Sequence, residues 1–132
     1  MDELEGKTAE DLLVIGEECL ARGECEKAIT VYKEIVKKEP IMPTLAKTCN
    51  DCGAAYASLK NYDLAIGFFN AALNLREYLM DEGVSTYYNL GQVYRAMGDE
   101  EKAEQSFKLA ERIKQEHELR DAEARRIFAG ER

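Results

Sequence analysis

The sequence predicts an all-α chain, an array of repeated antiparallel helix-turn-helix units. Three observations carry that reading. Gly16, Gly53 and Gly91 share one short pattern, with an apolar or small residue just before, another four positions before, and a third three positions after. The sets are Leu12, Ile15, Gly16, Cys19; Cys49, Cys52, Gly53, Tyr56; and Tyr87, Leu90, Gly91, Tyr94. Twelve residues beyond each glycine stands an alanine (Ala28, Ala65, Ala103), then an aromatic (Tyr32, Phe69, Phe107), then Ile35, Ala72 or Ala110. These landmarks move in step, by 37 residues from the first copy to the second and by 38 from the second to the third.

The elements follow in order. Helix A of the first copy begins at Thr8, where Thr8-x-x-Asp11 can form a capping box. Arg22-Gly23 ends it, and helix B spans about 24–38 until Pro40 and Pro43 close the hairpin, because proline cannot donate into a continuing helix. In the second copy helix A covers about 44–59 and helix B about 62–80, long because no breaker precedes Gly83. The extra residues amount to roughly one turn, so a longer helix would keep its buried face. The third copy has helix A at about 85–97, a turn at Gly98-Asp99, and a second helix B. No glycine or proline interrupts residues 99–129. That stretch is either one long helix or a helix ending near Glu116 followed by a short cap that folds back; the uninterrupted run favours the long helix. Leu119, Ile127 and Phe128 are expected to cover apolar surface, of the third repeat or of a second molecule. Glu116 with Arg120, and Asp121 with Arg125, support the helix at a spacing of four.

The pattern resembles the tetratricopeptide repeat, whose signature is W-x2-L-G-x2-Y, then A-x3-F and P. The resemblance covers about residues 9–119, in repeats at about 9–42, 46–79 and 84–117, with a C-terminal capping or extension helix at about 118–129. Pro40 keeps the closing proline of the first copy. Leu12, Cys49 and Tyr87 replace the tryptophan, and the later copies lack the proline. What the resemblance implies is a single domain folded as a right-handed α-solenoid of antiparallel helix-turn-helix repeats. The small residue lets the two helices approach, and stacking buries what one hairpin cannot.

Composition narrows the function. A net charge of −8 argues against nucleic acid and against an anionic membrane as partner, since both reward a basic face. Residues 111–132 hold six basic and six acidic side chains, so the whole excess lies in residues 1–110. Met1 to Glu10 is acidic without an apolar stretch, which does not read as a signal peptide. No apolar run approaches the roughly 18 residues of a membrane span. The four cysteines suit a reducing compartment, and a cytoplasmic location is expected.

Catalysis and cofactors find little support. Cys49 and Cys52 form a C-x2-C pair that Cys19 and Cys25 could complete as a zinc site, but Cys19, Cys49 and Cys52 occupy interhelix packing positions. They are expected to be packing residues, with no metal. The one histidine, His117, lies in a charged segment and reads as an exposed helical residue. Neither a phosphate-binding loop nor a dinucleotide fingerprint is present. The expectation is a non-enzyme without cofactors.

Function should then lie on the concave face lined by the A helices. The resemblance places Glu10, Leu13, Val14 and Glu17 there from the first repeat. The second contributes Lys47, Asn50, Asp51, Ala54 and Ser58, and the third Ser85, Tyr88, Asn89, Gln92 and Arg95. Amides donate and accept at once, which suits an extended peptide backbone, and Tyr88 offers an amphipathic plate. Charge runs from Glu10 and Glu17 to Arg95. Chaperone-binding members of the family hold a C-terminal carboxylate with basic and amide side chains. The matching positions here are Leu13, Glu17, Asp51, Ser85 and Asn89, none of them basic, so that activity is not expected. Glu17, Lys47, Asn50, Asp51, Tyr88, Asn89, Gln92 and Arg95 are the expected contacts of a protein or peptide partner. The alternative is a structural subunit that self-assembles through its C-terminal helix or groove.

Overall fold

The computed structural model describes residues 4–130. They form six α-helices and no strand: α1 (Ala9–Ala21), α2 (Cys25–Lys37), α3 (Met42–Ser58), α4 (Tyr62–Asn74), α5 (Val84–Ala96) and α6 (Glu100–Gly130). Helices pair as α1–α2, α3–α4 and α5–α6, and successive pairs stack through α2–α3 and α4–α5 into a helical-repeat solenoid. The first helices of the pairs touch along one side, α1 against α3 and α3 against α5.

Steric fit explains the glycine pattern. A Cβ on Gly53 would stand 2.7 Å from the Phe69 ring, and one on Gly91 2.6 Å from that of Phe107. Real Cβ contacts are wider, so the aromatic of each second helix rests directly on the backbone of the first. Tyr32 does the same at Gly16. Tyr32 and Phe69, with Leu12, Ile35, Ala28, Ala65 and Ala72, are fully buried or nearly so, while Phe107, in the last pair, is only partly buried.

Local signals set the helix ends. At the start of α1, Thr8 Oγ1 accepts from the Asp11 amide (3.1 Å) while the Thr8 amide donates to Asp11 Oδ2 (3.2 Å), the expected capping box. The three first helices end alike. Gly23, Lys60 and Gly98 have φ of 78°, 63° and 86°, and the two amides after each helix fold back on its last turn, as with Gly23 N to Leu20 O and Glu24 N to Cys19 O. The second copy thus makes with lysine a left-handed cap that the others make with glycine.

One expectation fails and another is narrowed, each for a visible reason. Helix α4 stops at Asn74, not near Met80, although neither glycine nor proline interrupts it. Polar side chains capture the backbone instead. A short 3-10 turn, Arg76–Tyr78, follows; Arg76 Nε donates to the Glu82 carbonyl (2.9 Å), and Asp81 accepts the amides of Gly83 (3.0 Å) and Ser85 (2.8 Å). Burial alone would raise the Asp81 pKa, but hydrogen bonds from Ser85 and Gly83 outweigh it and hold the carboxyl below its ordinary range. Of the two surfaces open to Leu119, Ile127 and Phe128, α6 removes the third repeat by running unbroken for 31 residues, as the sequence favours. Leu119, Ile127 and Phe128 are 71%, 57% and 73% exposed in the single chain, because a continuous helix carries them past the third repeat instead of folding back over it.

Candidate functional site

The side chains expected on the concave face divide into two sets. Around α1 and α3 they satisfy one another. Thr44 Oγ1 donates to Glu10 (3.1 Å). Lys47 Nζ lies 3.7 Å from Glu17 and 3.9 Å from Asp51. The buried Thr86 hydroxyl of α5 donates to Asn50 Oδ1 at 2.7 Å, and Asn50 Nδ2 sits 3.5 Å from Asp51 Oδ1, the outer limit for a hydrogen bond. Asn50 is therefore a strut between α3 and α5.

Asp51 is the strained member of that set. It is only 8% exposed and its Oδ2 has no hydrogen-bond partner among the described residues. Burial pushes its carboxyl up to about 6, with Lys47 opposing the rise and Glu17 adding to it. Beneath the face, the buried Tyr32 hydroxyl is also without a partner, and burial with the nearby Asp51 charge pushes it upward.

The third repeat is arranged differently. Tyr88 is about half exposed and its ring leans on Phe107, with centroids 5.1 Å apart. Among the described residues, Asn89 and Gln92 make no side-chain hydrogen bond. Both line a cleft of about 310 Å³ between α3 and α5, with an apolar floor of Ala54, Ala57, Phe69, Val93 and Ala96 and with Ser58 at its edge. Asn89 also borders a larger groove of about 570 Å³ at the end of the array, between α5 and α6, with Ser85, Tyr88, Phe107, Glu111 and Lys114. Arg95 is not a free positive end to the face: Glu100 grips its guanidinium at 2.7 and 3.1 Å, and the group lies 4.9 Å over the Phe107 ring. Glu10, Glu17 and Lys47 are likewise engaged, while Val14 stays 56% exposed.

The cysteines serve packing. Cys19, Cys25 and Cys52 share one buried apolar cluster. Cys49 and Cys52 line an almost wholly apolar cleft of about 370 Å³ with Tyr32, Val36 and Phe68. Burial raises both thiols, Cys52 to about 12, which keeps the Cys52 thiol protonated near neutral pH and unsuited to nucleophilic attack. Among the described residues no group of three or more His, Cys, Asp or Glu side chains is placed to hold a metal ion. His117 is not the exposed residue the sequence suggests. It is half-buried, its Nε2 3.1 Å from Glu82, and Arg120 reaches the same carboxylate at 3.0 Å, tying α6 to the linker before α5. Arg120 was expected with Glu116; the linker claims it instead.

Sequence reasoning missed the α6 wall of the larger groove, because Glu111 and Lys114 belong to a second helix and concave faces were assigned to first helices alone. The uncovered end of the array was the available signal.

Comparison with known proteins agrees with this architecture. A model of the tetratricopeptide repeat matches residues 44–116, more than half of the chain. No curated protein sequence matches. Among solved structures, the crystal structure of MamA superposes with a TM-score of 0.72 at 26% identity, over 85% of this chain and 61% of that one. The chain thus spans less than two thirds of that protein's length.

Proposed function

The chain belongs to the tetratricopeptide-repeat family, and from that premise we propose that it is a non-catalytic interaction module that holds an extended segment of a protein partner on its concave face, centred on the third repeat. A fold of this family serves protein partners. The finer reading rests on one observation. Asn89 and Gln92 present amides without internal side-chain partners above an apolar cleft, while the polar groups around α1 and α3 are occupied with each other. Such an amide can take both the N–H and the C=O of a bound strand, and the cleft accepts one apolar side chain of it. Glu17, Lys47, Asn50 and Asp51 then shape the face and set its charge, and Tyr88 packs against the ligand. Among the described residues no helix is long and apolar enough to cross a membrane. The four unpaired cysteines suit a cytoplasmic setting.

The test is selection of linear peptides from a displayed random library on the purified chain, followed by calorimetric titration of the winners. Asn89→Ala should weaken them about five-fold or more, the loss expected when a bound polar group is left unpaired. Unchanged affinity in Asn89→Ala and Gln92→Ala would move the site elsewhere. Peptides ending in a chaperone-type acidic carboxylate should not bind, since Glu17 and Asp51 stand where that anion would need cations.

A further inference from the structure

The large groove at the end of the array, walled by Val84, Ser85 and Tyr88 of α5 and by Phe107, Glu111 and Lys114 of α6, has the position that α3 and α5 fill on the preceding helix pairs. No described element follows to fill it. Yet the chain contains a helix of suitable length, because residues 118–130 number thirteen, as α1 and α5 do, and all of them are exposed. Apart from the Arg120 contact with Glu82, they leave the groove of their own molecule unfilled. They continue α6 without a break, and a straight helix carries them away from the groove.

The stripe of α6 that faces the groove complements itself. Phe107, Glu111 and Lys114 continue at alternating spacings of four and three into Glu118, Asp121, Arg125 and Phe128 on the extension, which keeps all seven on one side of the helix. Laid against a second copy running the opposite way, Phe128 meets Phe107 and Tyr88, Arg125 meets Glu111, and Asp121 meets Lys114. A twofold axis makes each contact occur twice. Glu118 meets its own copy at the centre, the one like-charged pair, in an exposed place where salt screens it. Leu119 and Ile127 lie off the stripe.

We propose that two copies pair antiparallel through α6, the extension of each filling the terminal groove of the other. This surface shares Ser85, Tyr88 and Asn89 with the concave-face reading, but Lys114 and Asp121 are remote from the cleft of Asn89 and Gln92, so the two readings fail separately.

Sedimentation of the purified full chain, from micromolar to submillimolar concentration, tests the pairing. The expected result is a concentration-dependent dimer. Lys114→Asp and Asp121→Lys should each weaken it about ten-fold, as two attractive pairs become repulsive. The double exchange should restore it, and Glu118→Gln should tighten it, with unchanged helicity by circular dichroism in every variant. A chain that stays monomeric throughout overturns the proposal. So does a dimer indifferent to the single reversals, or one that the double exchange does not rescue.

Discussion

The first-repeat and third-repeat ends of the concave face both carry polar side chains and behave oppositely. Toward α1, carboxylates, a lysine and an amide are spent on one another and on threonine hydroxyls. Toward α5, two amides and a tyrosine stand beside apolar clefts with less internal demand on them. A concave position in a repeat array is therefore no guarantee of availability. What decides is whether the neighbouring first helix supplies a partner. Polar substitutions should accordingly cost stability at one end and binding at the other.

The sharpest contrast pairs Asn50 with Asn89. Asn50→Leu strands the buried Thr86 hydroxyl and should cost about 1–3 kcal/mol in urea denaturation. Asn89→Leu should change stability by no more than about 0.5 kcal/mol. Equal losses would erase the distinction between the two ends.

Asp51 gives an effect of comparable size with a pH signature. Its folded pKa, about 6, lies above the ordinary 3.8, so the folded chain holds a proton that the unfolded chain releases. The stability linked to this group is full below about pH 3.8 and is lost as pH rises through 6. Asp51→Asn should therefore stabilise the fold at pH 7.5, by about 1–3 kcal/mol from the size of such a shift. The gain should shrink as the pH is lowered toward 4. A variant less stable than the parent at pH 7.5 would mean that the Lys47 contact outweighs burial.

The smallest effect concerns the second repeat, which joins the two ends. Lys60 holds a left-handed cap at φ 63° where the other copies have glycine. Lys60→Gly should stabilise by about 1 kcal/mol or less, seen as a small rise in Tm, without altering any ligand affinity.

The architecture was legible because steric fit wrote it into fixed positions. A glycine under an aromatic at Gly53 and Phe69, or at Gly91 and Phe107, leaves a spacing that sequence displays directly. The end of α4 was not legible. Arg76 and Asp81 act through hydrogen bonds to the Glu82 carbonyl and to the Gly83 and Ser85 amides, side-chain contacts that leave no glycine or proline at Asn74 to mark the end. The concave face was legible as a list of positions and not as a set of free groups. Nothing in the spacing of Asn50 shows that Thr86, 36 residues away, donates to it, and nothing around Arg95 shows that Glu100 and Phe107 hold it. The exposure of Phe128 escaped prediction because an amphipathic extension reads the same whether it caps its own array or awaits another surface.

Chemical-shift mapping tests the central claim most directly. A peptide selected on the purified chain is titrated into uniformly 15N-labelled protein, and the backbone amides and the side-chain amides of Asn and Gln are followed. The account predicts the largest shifts along 85–96 of α5 and 54–58 of α3, with the Asn89 and Gln92 side-chain signals among them and that of Asn50 little moved. Shifts concentrated around Val36 of α2, Cys49 of α3 and Phe68 of α4, or spread along α1 with α5 silent, would contradict it.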